Sequence, residues 1–108
     1  MEWKVVFFES ARGEKPVEKF FYEQQLKAQA KMLHLFDLLK TYGSQLGMPH
    51  AKHLGTGIYE LRIRGKEELR IFYGFKQKTI YLLHAFKKQT QKTPRKELEI
   101  AQRRLTEV

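Results

Sequence analysis

The stretch from His53 to Pro94 carries basic side chains at a spacing that could act on a phosphodiester. Arg62 and Arg70 can hold a phosphate through paired donors and stabilise the charge that builds up on its oxygens. His84 titrates nearest to neutral pH and can therefore act as an acid or a base. Metal-free RNA cleavage needs such a set, because a base must deprotonate the 2′-hydroxyl, cations must stabilise the phosphorane and an acid must protonate the leaving oxygen.

Further candidates flank this set. Lys87 and Lys88 follow the strand that carries His84, while Lys52 and His53 lie in a glycine-flanked stretch, a natural position for binding a ligand. The candidate catalytic residues are Arg70, His84, Arg62, His53 and Lys87, and the candidate substrate-binding residues are Lys52, Glu60, Arg64, Lys88 and Phe86.

Each of these side chains also has an ordinary structural interpretation. Arginines on a strand commonly form a solvated face with glutamate partners, and a sheet histidine is commonly held by hydrogen bonds. Phe86 is more typical of core packing than of a platform for stacking bases, although aromatic residues among basic ones suit a single-stranded nucleic acid. His50, His53 and His84 could in principle ligate a metal, but no carboxylate or cysteine accompanies them at ligand spacing. We therefore expect no metal and no cofactor.

Three predicted strands position the candidates. Every second residue is apolar, which is the period of a half-buried strand, at Leu61, Ile63, Leu69, Ile71, Tyr73, Tyr81 and Leu83. A loop of residues 65–67 pairs Arg62 with Arg70. A second loop, of residues 76–78, pairs Arg70 with His84. We therefore predict a row of Arg62, Arg70 and His84 about 10 Å wide, enough for a phosphate and its flanking sugars.

The rest of the chain predicts an α+β domain. Residues 2–8 are predicted to form a strand inside the sheet or under a helix, and residues 43–57 a loop. Between Pro16 and Tyr42 the period is helical, and the sequence leaves open one long helix or two joined near Gln25. The predicted helical stripe contains Phe20, Phe21, Leu26, Ala30, Leu33, Phe36 and Leu39, and a final helix carries Leu98, Ala101 and Leu105.

Length and composition narrow the class of protein. A chain of 108 residues predicts a single domain, residues 1–108. Lys and Arg outnumber Asp and Glu by 21 to 12, and the net charge of +9 favours nucleic acid, an anionic surface or an acidic protein as partner. Cysteine is absent, which excludes disulfides. With no long apolar run, we expect a soluble cytoplasmic protein that does not bind membranes.

Several motifs follow one another along nearly the whole chain. They are Lys15-Pro16-Val17, Tyr59-Glu60-Leu61-Arg62, Leu69-Arg70-Ile71-Phe72-Tyr73 and, most specifically, the segment LLHAFKKQTQKTP that ends at Pro94. In these motifs the chain resembles the HigB-like, phage-derived branch of the RelE/ParE toxin superfamily. The resemblance implies a RelE-like fold, with a small, mainly antiparallel sheet of about four strands, N-terminal helices packed on it and a C-terminal helix.

The resemblance also implies a function. It suggests a type II toxin that inhibits translation as a metal-independent endoribonuclease, or mRNA interferase, cutting mRNA in the ribosomal A site. The implied partners are the ribosome with its mRNA and a helix-turn-helix, HigA-like antitoxin, with operator DNA bound only through the antitoxin complex. Two alternatives stay open: a noncatalytic, ParE-like toxin that inhibits DNA gyrase, and a degenerate member that only binds antitoxin or nucleic acid.

Residue roles can be carried over by position. Arg70 resembles the family arginine that holds the scissile phosphate. Arg62 stands where RelE-type members carry a basic residue proposed as general base, but an arginine is a poor base because its guanidinium stays protonated in proteins. Glu60 either orients Arg62 or competes with the phosphate. Proton transfer then falls to His53 or His84 as base and to Lys87 or Lys88 as the group that stabilises or protonates the leaving oxygen.

Overall fold

The computed structural model describes residues 2–108, in which five strands form one mixed sheet. The strands are β1 (Lys4–Phe7), β2 (Ala51–Gly55), β3 (Ile58–Ile63), β4 (Leu69–Lys76) and β5 (Thr79–Lys87). Their order across the sheet is β1-β5-β4-β3-β2, with β1 parallel to β5 and every other neighbouring pair antiparallel. The prediction of about four strands is therefore corrected to five, and the sheet is mixed.

The additional strand, β2, lies within the stretch predicted to be a loop. It pairs with β3 at the edge of the sheet, where Ala51 is buried but Lys52 and His53 are exposed. Only one side chain of β2 is fully buried. The segment therefore does not need alternating apolar residues, and the pattern that predicts a strand is missing from its sequence.

The other edge is β1, which was predicted to lie inside the sheet or under a helix. The position inside the sheet is therefore wrong, whereas Val5 and Phe7 do pack in the cluster under α1 and α2. Just before β1, the Trp3 N–H donates to the Lys40 carbonyl of α2 at 2.8 Å.

Three helices cover the sheet: α1 (Pro16–Tyr22), α2 (Leu26–Tyr42) and α3 (Arg95–Leu105). Pro16 occupies the first turn of α1 and Gly43 follows the end of α2, as predicted. The two-helix alternative is confirmed, because Gln25 has an extended backbone and interrupts the helical path. None of the helices within residues 2–108 is long and apolar enough to cross a membrane.

The break at Gln25 also changes which side chains α2 buries. The predicted stripe is wrong at Leu26 and Leu33, which are 82% and 54% exposed. Ala30 of the stripe is exposed as well, whereas Phe36 and Leu39 are buried as predicted. A single helical phase cannot be extended through a break, so the stripe counted from α1 fails in the first half of α2. The side chains of α2 that are buried are Met32, Leu35, Phe36 and Leu39.

Each face of the sheet has its own apolar cluster. Helices α1 and α2 pack on the face that includes Leu61, Ile71 and Tyr73. Helix α3 packs Ala101 on the opposite face, which is formed by Phe8, Ile58, Phe72, Leu83 and Phe86. The chain thus folds as three layers, and the α3 face is the one that carries Arg62 and Arg70.

The predicted register of β3 against β4 is confirmed. Arg62 lies opposite Arg70, and Leu61 lies opposite Ile71. Paired residues in antiparallel strands point to the same face, so the two arginines share one side of the sheet. Glu60 lies one pair away on that side, opposite Phe72.

The predicted register of β4 against β5 is wrong. The turn contains two residues, Gln77 and Lys78, both with positive φ, instead of three. This geometry matches the twist of a tight hairpin even without glycine. A one-residue bulge at Leu83 then shifts the pairing again, so Arg70 lies opposite Phe86 and not His84.

The same shift corrects two predicted core positions. Tyr73 lies opposite Leu82 rather than Tyr81. Ile80 and Leu82 pack under α1 and α2, whereas Tyr81 and Leu83 pack in the cluster under α3. The two-residue turn is the cause, because a register shift of one residue exchanges the faces of Tyr81 and Leu83. The bulge at Leu83 adds a second shift, which restores the predicted faces from His84 onwards.

Candidate anion-binding cleft

A polar cleft of about 600 Å³ opens on the sheet beside the ends of β3 and β4. It is bounded by the arginines of the two strands, the loop between them and the segment after β5. The Lys88 N–H donates to the Glu68 carbonyl at 2.8 Å and holds that segment against the loop. The residues that line the cleft are Arg62, Arg64, Glu68, Arg70, Lys88, Gln89, Thr90 and Gln91.

Arg70 forms the buried floor of this cleft, with only 4% of its surface exposed. Its Nη1 donates to the Leu69 carbonyl at 2.9 Å, and its Nη2 donates to Glu68 Oε1 at 3.1 Å. Its Nε lies 3.7 Å from Glu60 Oε2, an ion pair too long for a hydrogen bond. A buried charge requires such partners, and they fix the guanidinium in one orientation.

Glu60 is buried between the two paired arginines and is 1% exposed. Its Oε1 accepts a hydrogen bond from Arg62 Nε at 3.1 Å. Glu60 was predicted either to orient Arg62 or to compete with the phosphate, and this hydrogen bond is the geometry expected of an orienting group. Lys52, opposite Glu60 on β2, is exposed and lies on the same face, but outside the residues that line the cleft.

Glu68 bridges two of the cationic side chains. Its Oε1 accepts from Arg64 Nη1 at 3.2 Å and from Arg70 Nη2 at 3.1 Å. A position between two guanidinium groups can hold a carboxylate or a phosphate oxygen. From the sequence, Glu68 was interpreted only as a partner of a solvated arginine face. The feature that could have indicated its place in the cleft is its position two residues before Arg70.

His84 does not join the arginines. It lies opposite Phe72, and its ring stacks on Phe86, which occupies the place opposite Arg70. Both ring nitrogens face α3: Nε2 is 2.5 Å from Glu97 Oε1, and Nδ1 is 3.3 Å from Arg104 Nη1. The structure therefore places His84 between β5 and α3.

The surroundings of His84 favour its neutral form. Burial lowers the pKa of the imidazole below its ordinary value, although the hydrogen bond and the charge of Glu97 act in the opposite direction. The guanidinium of Arg104 also lowers this pKa. A neutral ring that accepts from Arg104 at Nδ1 and donates to Glu97 from Nε2 satisfies both neighbours.

The remaining candidates also lie away from the cleft. His53 pairs with Tyr59 and stacks on its ring at 4.4 Å, which places it on the face opposite to Arg62 and Arg70. Lys87 is half exposed and donates to Glu67 Oε2 at 2.5 Å. Phe86 is buried edge-on against Phe72 in the cluster under α3, so its ring is not an open platform for a base.

Of the predicted set, the structure thus gathers Arg62, Arg64, Arg70, Lys88 and Glu60 around one cleft. Within residues 2–108, no group of three His, Cys, Asp or Glu side chains is placed to hold a metal ion. The cleft carries three arginines and one lysine against two glutamates, so its net charge is positive. Chemically, it can orient an anion through several guanidinium donors.

These features define a basic α+β protein with a cationic cleft built on paired strands. The chain belongs to the family described as "Phage derived protein Gp49-like (DUF891)", whose model matches residues 19–106. This is a family of RelE-like, toxin-like proteins, which confirms the resemblance at the level of the RelE-like proteins, while the HigB-like branch stays a prediction. No curated protein matches the chain closely enough to serve as a relative.

Proposed function

We propose that this protein is a toxin of the HigB-like type that acts as an endoribonuclease on mRNA in the ribosome. The observation that supports this proposal is the convergence of Arg62, Arg64 and Arg70 on one cleft, with Arg70 fixed at its floor. Guanidinium groups held in advance of the reaction stabilise charge that develops on a phosphorane without needing to reorganise.

In this proposal the phosphate of the RNA replaces the Glu68 carboxylate between Arg64 and Arg70. Glu68 then accepts the proton of the 2′-hydroxyl, and the 2′-oxygen forms a bond to phosphorus. The bond from phosphorus to the 5′-oxygen breaks, and Lys88 protonates that oxygen, leaving a 2′,3′-cyclic phosphate and a 5′-hydroxyl. Glu68 suits this task because it is the one carboxylate that both lines the cleft and is 38% exposed, among the described residues.

The partners proposed for the chain come from the same resemblance. A helix-turn-helix, HigA-like antitoxin would neutralise the toxin, and operator DNA would be bound through that complex. The net charge of +9 supports an acidic partner and an RNA target alike.

Translating ribosomes programmed with one defined mRNA test this function. Wild-type protein should produce fragments with 5′-hydroxyl ends at positions within the translated region. Replacing the ribose at a mapped cut by 2′-deoxyribose should remove that cut alone, because the attacking hydroxyl is gone. A cut that persists at the deoxyribose would contradict transesterification through the 2′-oxygen.

A second function is favoured by the positions of the histidines. Neither His53 nor His84 lines the cleft, and a site of arginines without histidine is also what a purely binding surface requires. The second candidate is therefore a noncatalytic, ParE-like toxin that inhibits DNA gyrase. In a supercoiling assay it would block gyrase while the ribosome reaction leaves the mRNA intact.

A further inference from the structure

A second cavity, which we call the α2 groove, lies between α2 and the end of β3. It has a volume of about 570 Å³. The end of β3 lies between the residues that precede β2 and helix α2: the Arg62 N–H donates to the His50 carbonyl at 2.9 Å, and Ile63 is buried in the cluster under α2. The apolar floor of the α2 groove consists of Ala30, Leu35, Pro49 and Ile63.

The rim of the α2 groove is basic throughout. Its charged and titratable side chains are Lys27, Lys31, His34, His50, Arg62 and Arg64. Among the described residues, none that lines the groove is a carboxylate. Lys31 is anchored there, because its Nζ donates to the Arg64 carbonyl at 2.7 Å. An apolar floor inside a cationic rim is complementary to a chain that carries apolar side chains flanked by negative charge.

Exposed apolar side chains extend this surface along α2. Leu26 and Leu33 flank Ala30 at helical spacing and are 82% and 54% exposed. Leucines that are open to solvent beside a groove are typical of a contact surface for another protein. A nucleobase would instead need polar groups on the floor to read its edge, and the floor offers aliphatic side chains.

We propose that the α2 groove is the docking site of an acidic, amphipathic segment of a partner protein. Arg62 and Arg64 line both the α2 groove and the anion-binding cleft. A segment whose carboxylates pair with these arginines therefore competes with the phosphate of an RNA. A partner bound in this way would neutralise the toxin, and this consequence rests on the proposed function.

The test uses the full-length protein and a labelled synthetic peptide of about 20 residues, with leucine at helical spacing and glutamate elsewhere. A control peptide keeps the glutamates and has serine for leucine. Fluorescence anisotropy should show that the leucine peptide binds at least about tenfold more tightly, because only it fills the apolar floor.

Two matched variants locate the site. Ala30→Glu adds a negative charge to the floor and should weaken the leucine peptide about tenfold. Thr41→Glu makes the same change of charge at an exposed position of α2 away from the groove, and should leave binding nearly unchanged. Both positions are exposed and helical, so neither variant should unfold the protein.

Three results would overturn the proposal. Equal binding of the two peptides would show attraction by charge alone, and equal effects of the two variants would place the peptide elsewhere. Loss of binding to single-stranded RNA, rather than to the peptide, in Ala30→Glu would make the groove part of the RNA surface. Because peptide binding needs no RNA cleavage, its failure is distinct from failure of the nuclease reaction in the ribosome assay.

Discussion

Arg70 is the residue on which the proposed chemistry depends, and its burial explains why. A guanidinium with 4% exposure is held by the Leu69 carbonyl and by the carboxylates of Glu60 and Glu68. Of these, Glu68 is the partner that solvent reaches. An incoming phosphate can therefore replace Glu68 while Leu69 and Glu60 keep the orientation of Arg70.

Replacing Glu68 separates binding from catalysis. In Glu68→Gln one negative charge leaves the cleft, so single-stranded RNA should bind more tightly. Cleavage in the ribosome reaction should nevertheless slow by about 10²–10⁴-fold, the usual contribution of a general base. RNA affinity from anisotropy and cleavage rates from single-turnover reactions provide the two readouts.

The control for this prediction is Glu67→Gln. Glu67 lies next in sequence and pairs with Lys87 outside the cleft, so removing its charge should leave both readouts nearly unchanged. If Glu68→Gln cleaves at the wild-type rate, another group is the base.

His84 makes the stability of the fold depend on pH. Its pKa in the folded protein is lowered, chiefly by burial, and unfolding returns it to about 6.5. Below that pH the unfolded chain binds more protons, so the free energy of unfolding should fall as the pH drops from about 7.5 to 5. Urea denaturation across this range should show a shallower dependence in His84→Gln than in wild type. The same slope in both proteins would contradict this account.

At the residue scale, part of the cleft was accessible from the sequence. Alternation predicted that Arg62 and Arg70 share a face and lie opposite each other, and the structure confirms it. The positions of His84 and His53 could not be obtained in this way. The position of His84 depends on the bulge at Leu83, and that of His53 depends on the edge strand β2. Neither feature gives a periodic pattern in the sequence.

At the scale of elements, the hairpin of β4 and β5 shows how local geometry decides which residues meet. The two-residue turn and the bulge together move Phe86 to the place predicted for His84. The displacement is two residues, or about 7 Å along the strand. His84 therefore lies on the predicted face of the sheet but opposite Phe72 instead of Arg70. For this reason the predicted row of Arg62, Arg70 and His84 does not form.

The junction after α2 depends on a glycine that lies against Trp3, the residue before β1. Gly43 has φ +52, and a Cβ there would lie 1.9 Å from Trp3 Nε1. Gly43→Ala should therefore destabilise the fold by about 3 kcal/mol, through backbone strain and displacement of Trp3. Urea denaturation monitored by tryptophan fluorescence measures the change.

Gly47→Ala is the matched control for Gly43→Ala. A Cβ at Gly47 meets no atom within 4 Å, and its φ is not in the positive range. This variant should have nearly the stability of wild type. Equal losses in the two variants would contradict the role assigned to the contact with Trp3.

At the scale of the whole molecule, the excess of positive charge has two neighbouring places to act. The anion-binding cleft and the α2 groove lie on either side of Arg62 and Arg64, and each has a volume near that of a small ligand pocket, about 600 and 570 Å³. Composition predicted an anionic partner, but only the fold shows that one surface is polar and the other has an apolar floor. That difference arises because α2 brings Ala30 and Leu35 beside Ile63 at the end of β3, a contact between elements that the sequence does not reveal.

Salt dependence measures how many phosphate contacts the cleft makes. For single-stranded RNA the logarithm of the binding constant should fall with the logarithm of salt concentration, by about 0.7 for each phosphate neutralised. Lys88→Ala should lower the magnitude of this slope by about 0.7, because Lys88 lines the cleft. Lys4→Ala removes the same charge from an exposed position on β1 and should leave the slope unchanged. Equal slopes for Lys88→Ala and wild type would place the RNA elsewhere.

The most direct test of the account is primer extension on mRNA from cells that briefly express wild type, Arg70→Ala, Arg64→Ala or Arg12→Ala. Replacing the buried Arg70 could unfold the protein, whereas the Arg64 side chain is 57% exposed and its replacement should leave the fold intact. The Arg64→Ala variant therefore tests the cleft independently of folding. Arg12 is an exposed arginine outside the cleft and serves as the control.

We expect cuts within translated codons in wild type and Arg12→Ala, about 10²–10³-fold fewer in Arg70→Ala, and fewer in Arg64→Ala. Intact mRNA during growth arrest by the wild type would contradict a nuclease and favour the gyrase-directed alternative. Undiminished cutting by both Arg70→Ala and Arg64→Ala would contradict the assignment of the cleft.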